Sequence, residues 1–246
     1  MSSIAKGAES GRVARGESSD ALVGEVPKGI LNDALAPGEE VGDHNSRVGV
    51  EHDKHMMEAR RKLATKVVFL DCDGVLANYR SAIWDFKEDD NSLYHDPHGH
   101  QTSLERRCLL NLKRVLDETG AVVVLSTSWR LYPAQRTFLV SAIETIVGVP
   151  GIVIGDTPNL GTQGNRGLEI DTWLQANAGV TSYVVFEDDM KRNEEGMKAF
   201  LDFRRVVVTI MHDDLDSMNE GITSEKADAA IEILGPVARA PVSKSG

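Results

Sequence analysis

The segment VVFLDCDGVL, residues 67–76, carries the side chains of this chain that are best placed to do chemistry. The apolar run Val67–Leu70 has the length and the branching of a buried strand. Because successive side chains of an extended chain point to opposite faces, the carboxylates of Asp71 and Asp73 leave the strand end on the same side, and Gly74 lets the chain turn there. Converging carboxylates repel each other, and Mg2+ relieves that repulsion because it prefers oxygen ligands. The segment therefore predicts a metal-dependent active site.

The acidic pair has two alternative interpretations. It could end a strand and begin a solvated loop, which is a common arrangement in proteins. It could also belong to a calcium loop, but Val75 and Ala77 occupy later positions where such a loop needs oxygen ligands. We therefore exclude the calcium loop and keep the solvated loop as the alternative to a metal site.

The elements that must hold this pair follow from the pattern of apolar residues after residue 66. Apolar runs of strand length alternate with stretches of helix length, and the runs lie in VVFL, VVVL, GIVIG, SYVVF and RRVVVTI. The relation of Thr102 to Glu105 is a capping box that predicts the start of the first helix, and Pro133 and Thr223 open later ones. Strands that alternate with helices imply right-handed crossovers, so we predict an α/β, Rossmann-like parallel sheet with helices on both faces.

Polar side chains follow two further apolar runs, at the strand ends beyond which ligands of such sheets bind. They are Ser126, Thr127, Glu187, Asp188 and Asp189. Taken singly, the hydroxyls are equally suited to capping a helix, and the acids to starting one. Their common placement at strand ends, together with Asp71 and Asp73, favours a single functional site.

The pattern of four apolar residues followed by D-x-D-G-V-L resembles the signature of the haloacid dehalogenase (HAD) superfamily of aspartate-nucleophile phosphatases. A narrower resemblance, to the HAD domain described in Swiss Army Knife RNA repair proteins, runs from residue 66 to about residue 235. It rests on VVVLSTSWR, GDTP, an arginine ahead of LEIDTWL, VVFEDD and EGIT. DCDGVL and STSWR are its specific elements, and Glu187 departs from it as an extra acid beside the expected pair.

The resemblance implies a two-step transfer of a phosphoryl group with Mg2+ as the cofactor. Asp71 would attack phosphorus to form an aspartyl-phosphate, and Asp73 would protonate the leaving oxygen and later activate water. The implied metal ligands are Asp71, the backbone carbonyl of Asp73, and Asp188, with Asp189 as the alternative to Asp188. The implied phosphate-binding residues are Ser126, Thr127, Arg130 and Arg166, with Lys191 as a further candidate for the positive charge. Arg166 is preferred for that charge, because it precedes the helix that leads to the metal-binding strand.

The size of the cap over the site limits which substrates can enter it. Only 25 residues separate Leu76 from Thr102, so we predict a minimal cap and an open site. An open site suits a large phosphorylated substrate, such as a nucleic-acid end or a phosphoprotein, better than a small metabolite. Nucleic-acid or nucleotide phosphate ends are the favoured substrate class. A phosphatase for a small phosphate ester, and a catalytically silent HAD fold that serves as a binding module, are the alternatives.

The residues of this insert carry two further groups of interest. One group invites a second-metal interpretation, although a polar flap is the commoner origin of such a cluster. It consists of His95, Asp96, His98 and His100. The other group is aromatic and could stack on a base or pack the flap onto the domain. It consists of Tyr79, Trp84, Phe86 and Tyr94.

Composition limits the partners of the protein. The chain of 246 residues has a net charge of −11, which argues against non-specific adhesion to nucleic acid or to an anionic membrane. Its two cysteines, Cys72 and Cys108, are expected to be reduced core residues. No stretch approaches the roughly 18 apolar residues of a membrane span, so we expect an intracellular, cytoplasmic protein without a membrane partner.

The first part of the chain differs from the rest. Residues 1–62 show no sustained apolar period and are rich in Gly, Ser and mixed charges, which predicts a disordered tail ahead of a HAD-like domain at residues 63–240. A mitochondrial transit peptide is the alternative, since this tail contains basic residues. Its acidic residues disfavour that alternative.

Overall fold

The apolar run that precedes the acidic pair forms the central strand of a parallel sheet. Val67, Val68, Phe69 and Leu70 have no exposed surface, as expected for a strand covered on both faces. A computed structural model of the chain describes residues 55, 57–77, 93–95, 103–161, 165–209 and 220–237.

Strands and helices alternate along the described chain, as the apolar pattern predicts. The strands are β1 Lys66–Leu70, β2 Leu93–His95, β3 Ser103–Glu105, β4 Val122–Leu125, β5 Val153–Asp156, β6 Ser182–Glu187 and β7 Val206–Val208. The helices that follow β1 are α1 Arg106–Thr119, α2 Pro133–Val147, α3 Arg166–Ala176, α4 Met190–Phe200 and α5 Ser224–Leu234. Pro133 is the first residue of α2, and the Thr223 side chain caps α5, so both predicted helix starts are confirmed.

The order of strands in the main sheet is β5-β4-β1-β6-β7, and every pairing is parallel. From β1 the chain moves outward through β4 to β5 and then returns across β1 to β6. Leu70 pairs with Leu125 on one side and with Phe186 on the other. The carboxyl ends of β1, β4 and β6 are therefore level with one another, at the point where the strand order reverses and ligands of open α/β sheets bind.

Two groups of helices flank the sheet. Helix α1 packs against α2 and α5, and α3 packs against α4. Right-handed crossovers place the helices of outward and returning connections on opposite faces, which explains the two groups. The predicted α/β, Rossmann-like fold with helices on both faces of a parallel sheet is confirmed.

The start of the first helix differs from the sequence prediction. Residues Ser103–Glu105 form β3, which pairs antiparallel with β2, and α1 begins only at Arg106. The Glu105 carboxylate binds Arg107 Nε (3.0 Å) and caps no helix. Pairing with β2 explains the difference, because partners 8 to 12 residues away in the chain are not visible in a local capping pattern.

A helix at residues 57–63 leads into β1 and belongs to the folded part of the chain. Its Arg61 Nε donates a hydrogen bond to Asn177 Oδ1 (3.0 Å) at the end of α3. This helix overlaps the last residues of the tail that the sequence predicts for residues 1–62, where the segment EHDKHMMEARRK could form a short helix leading into the domain. The domain boundaries stay a prediction. Residues 1–54 lie outside the described residues, and their disorder stays a prediction.

No helix in the described part of the chain is both long enough and apolar enough to cross a membrane.

Candidate active site

Asp71 lies one residue beyond β1, in the row formed by the carboxyl ends of the three central strands. Its backbone N–H donates to Phe186 O (3.2 Å), which continues the pairing with β6. The residue is 6% exposed, and its carboxylate accepts hydrogen bonds from the Thr127 hydroxyl and the Cys72 backbone. Burial, with a smaller contribution from Glu187, raises the pKa of Asp71 from 3.8 to about 7 despite the opposing effect of Arg166. The side chain is thus held by two hydrogen bonds, in a site with too little positive charge to keep its carboxylate ionised.

Gly74 turns the chain directly after the acidic pair. The Cys72 carbonyl accepts from the backbone N–H of Leu76 and of Ala77 (both 2.9 Å), which closes the turn. Gly74 has φ +68°, and a Cβ there would lie 2.2 Å from Asp188 Oδ2. Glycine is therefore needed for two reasons, since the turn requires a left-handed backbone and Asp188 occupies the space of a side chain.

Asp71, Glu187 and Asp188 form a cluster in which one carboxylate oxygen from each lies within 4.8 Å of the others. Burial, then the charge of Asp71, raises the pKa of Asp188 to about 7. Glu187 Oε1 accepts from the backbone N–H of Asp189 (3.1 Å), whereas Glu187 Oε2 is buried and receives no hydrogen bond from the described residues.

This cluster fits a divalent cation. It supplies hard oxygen donors, and its buried Glu187 Oε2 receives no hydrogen bond from the described residues, although Arg166 Nε lies 3.3 Å away. Burial, together with repulsion, also disfavours the ionisation of all its carboxylates at once. Asp188 belongs to the cluster and Asp189 does not. Of the two ligands that the sequence leaves open, the geometry therefore favours Asp188.

Arg166 reaches into the cluster from the first residue of α3. Its Nη2 lies 3.8 Å from Asp71 Oδ1, its Nε lies 3.3 Å from Glu187 Oε2, and its Nη1 lies 3.5 Å from Ser126 Oγ. The guanidinium thus touches side chains from the ends of β1, β4 and β6. A planar group with several donors in this place is suited to a phosphoryl group bound over Asp71.

Close packing between two helices fixes the position of Arg166. Asn165 caps α3, with its Oδ1 accepting from Leu168 N (2.9 Å). A Cβ on Gly167 would lie 2.2 Å from the Gly196 carbonyl oxygen of α4. The first turn of α3 therefore lies against α4 without room for a side chain.

Asp73 lies at the mouth of the site and is exposed. Trp129, on the 3₁₀ turn Ser128–Leu131, donates from Nε1 to Asp73 Oδ2 (2.9 Å). Partial removal of Asp73 from water by the surrounding protein atoms raises its pKa, and the hydrogen bond from the Trp129 N–H lowers it. Trp129 lies within STSWR, but the sequence pattern does not identify it as a site residue. A single tryptophan in a short motif does not indicate that its indole binds Asp73.

The two hydroxyl residues that follow β4 are both buried. Ser126 N donates to Leu70 O (2.8 Å), and its Oγ faces Arg166. Thr127 Oγ1 accepts from Trp129 N (3.3 Å), and the same hydroxyl donates to Asp71. Thr127 therefore contacts the carboxylate of Asp71, and Ser126 is the one that lies beside the guanidinium.

Arg130, which the resemblance implies as a phosphate-binding residue, is held by contacts within the protein. Its side chain is 5% exposed and forms a salt bridge with Glu169 Oε2 (2.8 Å). Its guanidinium also donates to the carbonyls of Thr127, Thr157 and Pro158. These groups hold the Ser128–Leu131 turn and the chain after β5 together, so Arg130 stabilises the wall of the site, and its role in phosphate binding stays a prediction.

The other predicted candidates are placed on an element at most. Lys191 lies in the first turn of α4, and His95 and Tyr94 lie in β2. The remaining candidates of the insert, including Tyr79 and Asp96, lie outside the described residues. The second-metal and base-stacking interpretations of that insert stay predictions.

The EGIT segment has a structural function that its sequence does not reveal. Ile222 N donates to Val75 O (3.1 Å), and a Cβ on Gly221 would lie 2.4 Å from the same oxygen. Arg107 Nη2 donates to the carbonyl of Glu220 (3.1 Å). The segment thus ties the start of α5 to the turn that carries Gly74.

The metal-free protein is expected to lose stability as the pH rises from about 4.5 to about 7.5. The folded-state pKa of Asp71 and of Asp188 is raised to about 7. Their contribution to stability is therefore complete below the ordinary pKa and is lost as the pH rises through the raised one. Thermal melts in EDTA should show that the melting temperature falls by about 3–6 °C over this pH range. The melting temperature of the Asp188→Asn variant should fall less over the same range. A fall equal to that of the wild type would show that burial and repulsion of these carboxylates do not cause the loss of stability.

A comparison with protein families gives one match. The model described as the HAD domain in Swiss Army Knife RNA repair proteins matches residues 67–211, which include Asp71, Trp129, Arg166 and Asp188. Neither the curated proteins nor the solved structures contain a match to the chain.

Proposed function

We propose that this chain, which belongs to the family of HAD domains in Swiss Army Knife RNA repair proteins, is a magnesium-dependent phosphatase with Asp71 as its nucleophile. The observation that carries the proposal is the position of Asp71, which lies between an acidic cluster and a guanidinium. Asp188 lies in that cluster, and Arg166 Nη2 lies 3.8 Å from Asp71 Oδ1. A strand end that merely meets solvent would not bury the carboxylates of Asp71 and Glu187 and hold the half-buried Asp188 and Arg166 beside them.

The first step transfers the phosphoryl group to the protein. An oxygen of the Asp71 carboxylate attacks phosphorus, and the bond between phosphorus and the leaving oxygen breaks. Asp73 gives its proton to that oxygen, so the product leaves as an alcohol. Arg166 and Ser126 are placed to bind the oxygens of the transferring group, on which negative charge is spread.

The second step releases phosphate. Asp73, now a carboxylate, accepts a proton from water as the water oxygen attacks phosphorus. The bond between phosphorus and the Asp71 oxygen breaks, and inorganic phosphate and a free carboxylate result. The Thr127 hydroxyl and the Cys72 backbone N–H hold Asp71 in one orientation through both steps.

Mg2+ would be held by the side chains of Asp71 and Asp188 and by the backbone carbonyl of Asp73. When bound, it neutralises the carboxylates and the charge of the phosphoryl group. Glu187 lies in the same cluster and also pairs with Arg166. Its place suggests that it holds the guanidinium toward Asp71.

We infer that the substrate is a phosphorylated nucleic-acid end. The family description names RNA repair proteins. An exposed apolar surface also lies next to the site, since Leu131 and Tyr132, which are 48% and 59% exposed, closely follow Trp129. An aromatic face of this kind can stack on a base of any sequence.

The proposal is tested by assaying the purified full-length chain with Mg2+ against 3′-phosphorylated RNA, 3′-phosphorylated DNA, mononucleotides and sugar phosphates. We expect phosphate release on at least one nucleic-acid substrate, and its loss in EDTA. Activity on sugar phosphates alone would favour the small-ester alternative. Absence of activity on all four, with Mg2+ binding retained, would favour a silent binding module.

Turnover is expected to be higher on a phosphorylated oligonucleotide than on the matching mononucleotide, because contacts to the rest of the strand supply binding energy for the transition state. Tyr132→Ala should reduce this preference by about 10-fold, the effect of losing one stacked base. Phe200→Ala is the matched control, since Phe200 is an exposed aromatic residue at the far end of α4. Equal turnover on both substrates would reject the polymer proposal.

A further inference from the structure

We propose that Trp129 is a positioning residue that determines which oxygen of Asp73 delivers the proton to the leaving group. The inference rests on the proposed phosphatase function and deepens it. It is carried by one contact, the hydrogen bond from the indole Nε1 of Trp129 to Asp73 Oδ2 (2.9 Å).

Asp73 needs such a partner because of where it lies. It is exposed, whereas Asp71, two residues earlier, is buried and held by two hydrogen bonds. An exposed aspartate samples several side-chain orientations, and an acid catalyst is efficient only when its proton lies within hydrogen-bond reach of the atom that receives it. A rigid donor on one of its oxygens removes most of this freedom.

Trp129 is itself held firmly. The residue is 8% exposed, and its backbone is fixed on both sides. Trp129 N donates to Thr127 Oγ1 (3.3 Å), and its carbonyl accepts from Tyr132 N (3.1 Å). Since the Thr127 hydroxyl also contacts Asp71, the same turn sets the relative positions of the nucleophile and of the acid.

The chemistry of the indole makes the contact directional. An indole N–H donates a hydrogen bond and accepts none. When Asp73 is protonated, its carbonyl oxygen accepts a hydrogen bond more strongly than its hydroxyl oxygen does, so the indole N–H at Oδ2 favours the proton on the other oxygen, Oδ1. Trp129 thus leaves Oδ1 to give the proton to the leaving oxygen in the first step, and to accept a proton from water in the second.

The test uses the dependence of the rate on the leaving group. In a two-step reaction through an aspartyl-phosphate, kcat/KM reports the steps up to departure of the leaving group. A nitrophenolate leaves readily without a proton, whereas the alkoxide of a nucleoside 3′-phosphate needs one. The experiment compares kcat/KM on p-nitrophenyl phosphate and on a nucleoside 3′-phosphate for the full-length wild type and for Trp129→Phe, both with Mg2+.

We expect Trp129→Phe to lower kcat/KM on the nucleoside phosphate by about 10–100-fold, and the loss on the nitrophenyl ester to be at least about tenfold smaller. Asp73→Asn should give the same selectivity, and adding Trp129→Phe to it should cause no further selective loss, because the two residues act as a unit. Equal losses of Trp129→Phe on the two esters, or no loss, would overturn the proposal while leaving the phosphatase function intact. A wild type inactive on both esters and on 3′-phosphorylated oligonucleotides would overturn both proposals. For a wild type active only on oligonucleotides, a 3′-phosphorylated oligonucleotide replaces the nucleoside 3′-phosphate in the same comparison.

Two controls separate positioning from folding. Trp173→Phe alters another buried tryptophan, which packs edge-to-face on Phe69 (5.4 Å), and it should lower stability without leaving-group selectivity. If Trp129→Phe fails to fold, incorporation of benzothienylalanine at position 129 decides the question, because it replaces only the indole N–H by sulfur. Wild-type selectivity in that protein would contradict the assigned role.

Discussion

Replacing Asp71 with asparagine is expected to lower phosphatase turnover by about 10⁴-fold or more, the effect of removing a covalent nucleophile. An amide nitrogen or oxygen at this position does not attack phosphorus, and it binds a cation more weakly than a carboxylate does. Phosphate release by the purified Asp71→Asn protein, measured with Mg2+ on the best substrate of the wild type, tests this expectation.

The same substitution should leave the fold intact and raise the melting temperature of the metal-free protein. Asp71 is buried beside Asp188 and Glu187, so removal of its charge relieves both repulsion and the cost of burial. Asp117→Asn, on the exposed side of α1, is the control and should change neither activity nor melting temperature appreciably. Turnover of Asp71→Asn close to that of the wild type would contradict the assignment of the nucleophile.

Gly74→Ala is expected to lower activity by at least about 100-fold and stability by about 2–3 kcal/mol. The alanine would adopt a left-handed backbone at φ +68°, and its Cβ would lie 2.2 Å from Asp188 Oδ2. Asp188 would have to move out of the acidic cluster, so Mg2+ affinity should fall together with turnover. Urea unfolding and a Mg2+ titration of the thermal melt measure the two effects.

Gly148→Ala separates backbone strain from the clash at the site. Gly148 caps α2 with φ +77°, and a Cβ there would have nothing within 4 Å. We expect this variant to lose about 1 kcal/mol and to keep its Mg2+ affinity and turnover. Equal Mg2+ affinity in the Gly74 and Gly148 variants would show that Asp188 is not a metal ligand.

The sheet and its acidic edge could be predicted from local patterns, because each depends on residues that are close in the sequence. Apolar runs of four or five residues locate β1, β4 and β6, and polar residues that directly follow them must lie at the carboxyl edge of a parallel sheet. This is why Asp71, Ser126 and Asp188 could be placed together before their distances were known.

Local sequence patterns could not predict the contacts between distant parts of the chain. Arg130 resembled a site residue from its place in STSWR, but its charge is satisfied by Glu169, 39 positions later. Trp129 donates a hydrogen bond to Asp73, which lies 56 positions earlier. Strand β3 is stabilised by its pairing with β2. In each case the decisive partner lies on another element, so local propensity or charge alone could not identify it.

The most direct test of Asp71 as the nucleophile is to trap the covalent intermediate. Rapid mixing of the full-length protein with Mg2+ and substrate, followed by borohydride reduction, converts an aspartyl-phosphate to homoserine, which peptide mass spectrometry locates. We predict homoserine at position 71, more of it in Asp73→Asn because the second step is slowed, and none in EDTA or in Asp71→Asn. Turnover without any reduced residue, or homoserine at another position, would contradict covalent catalysis by Asp71.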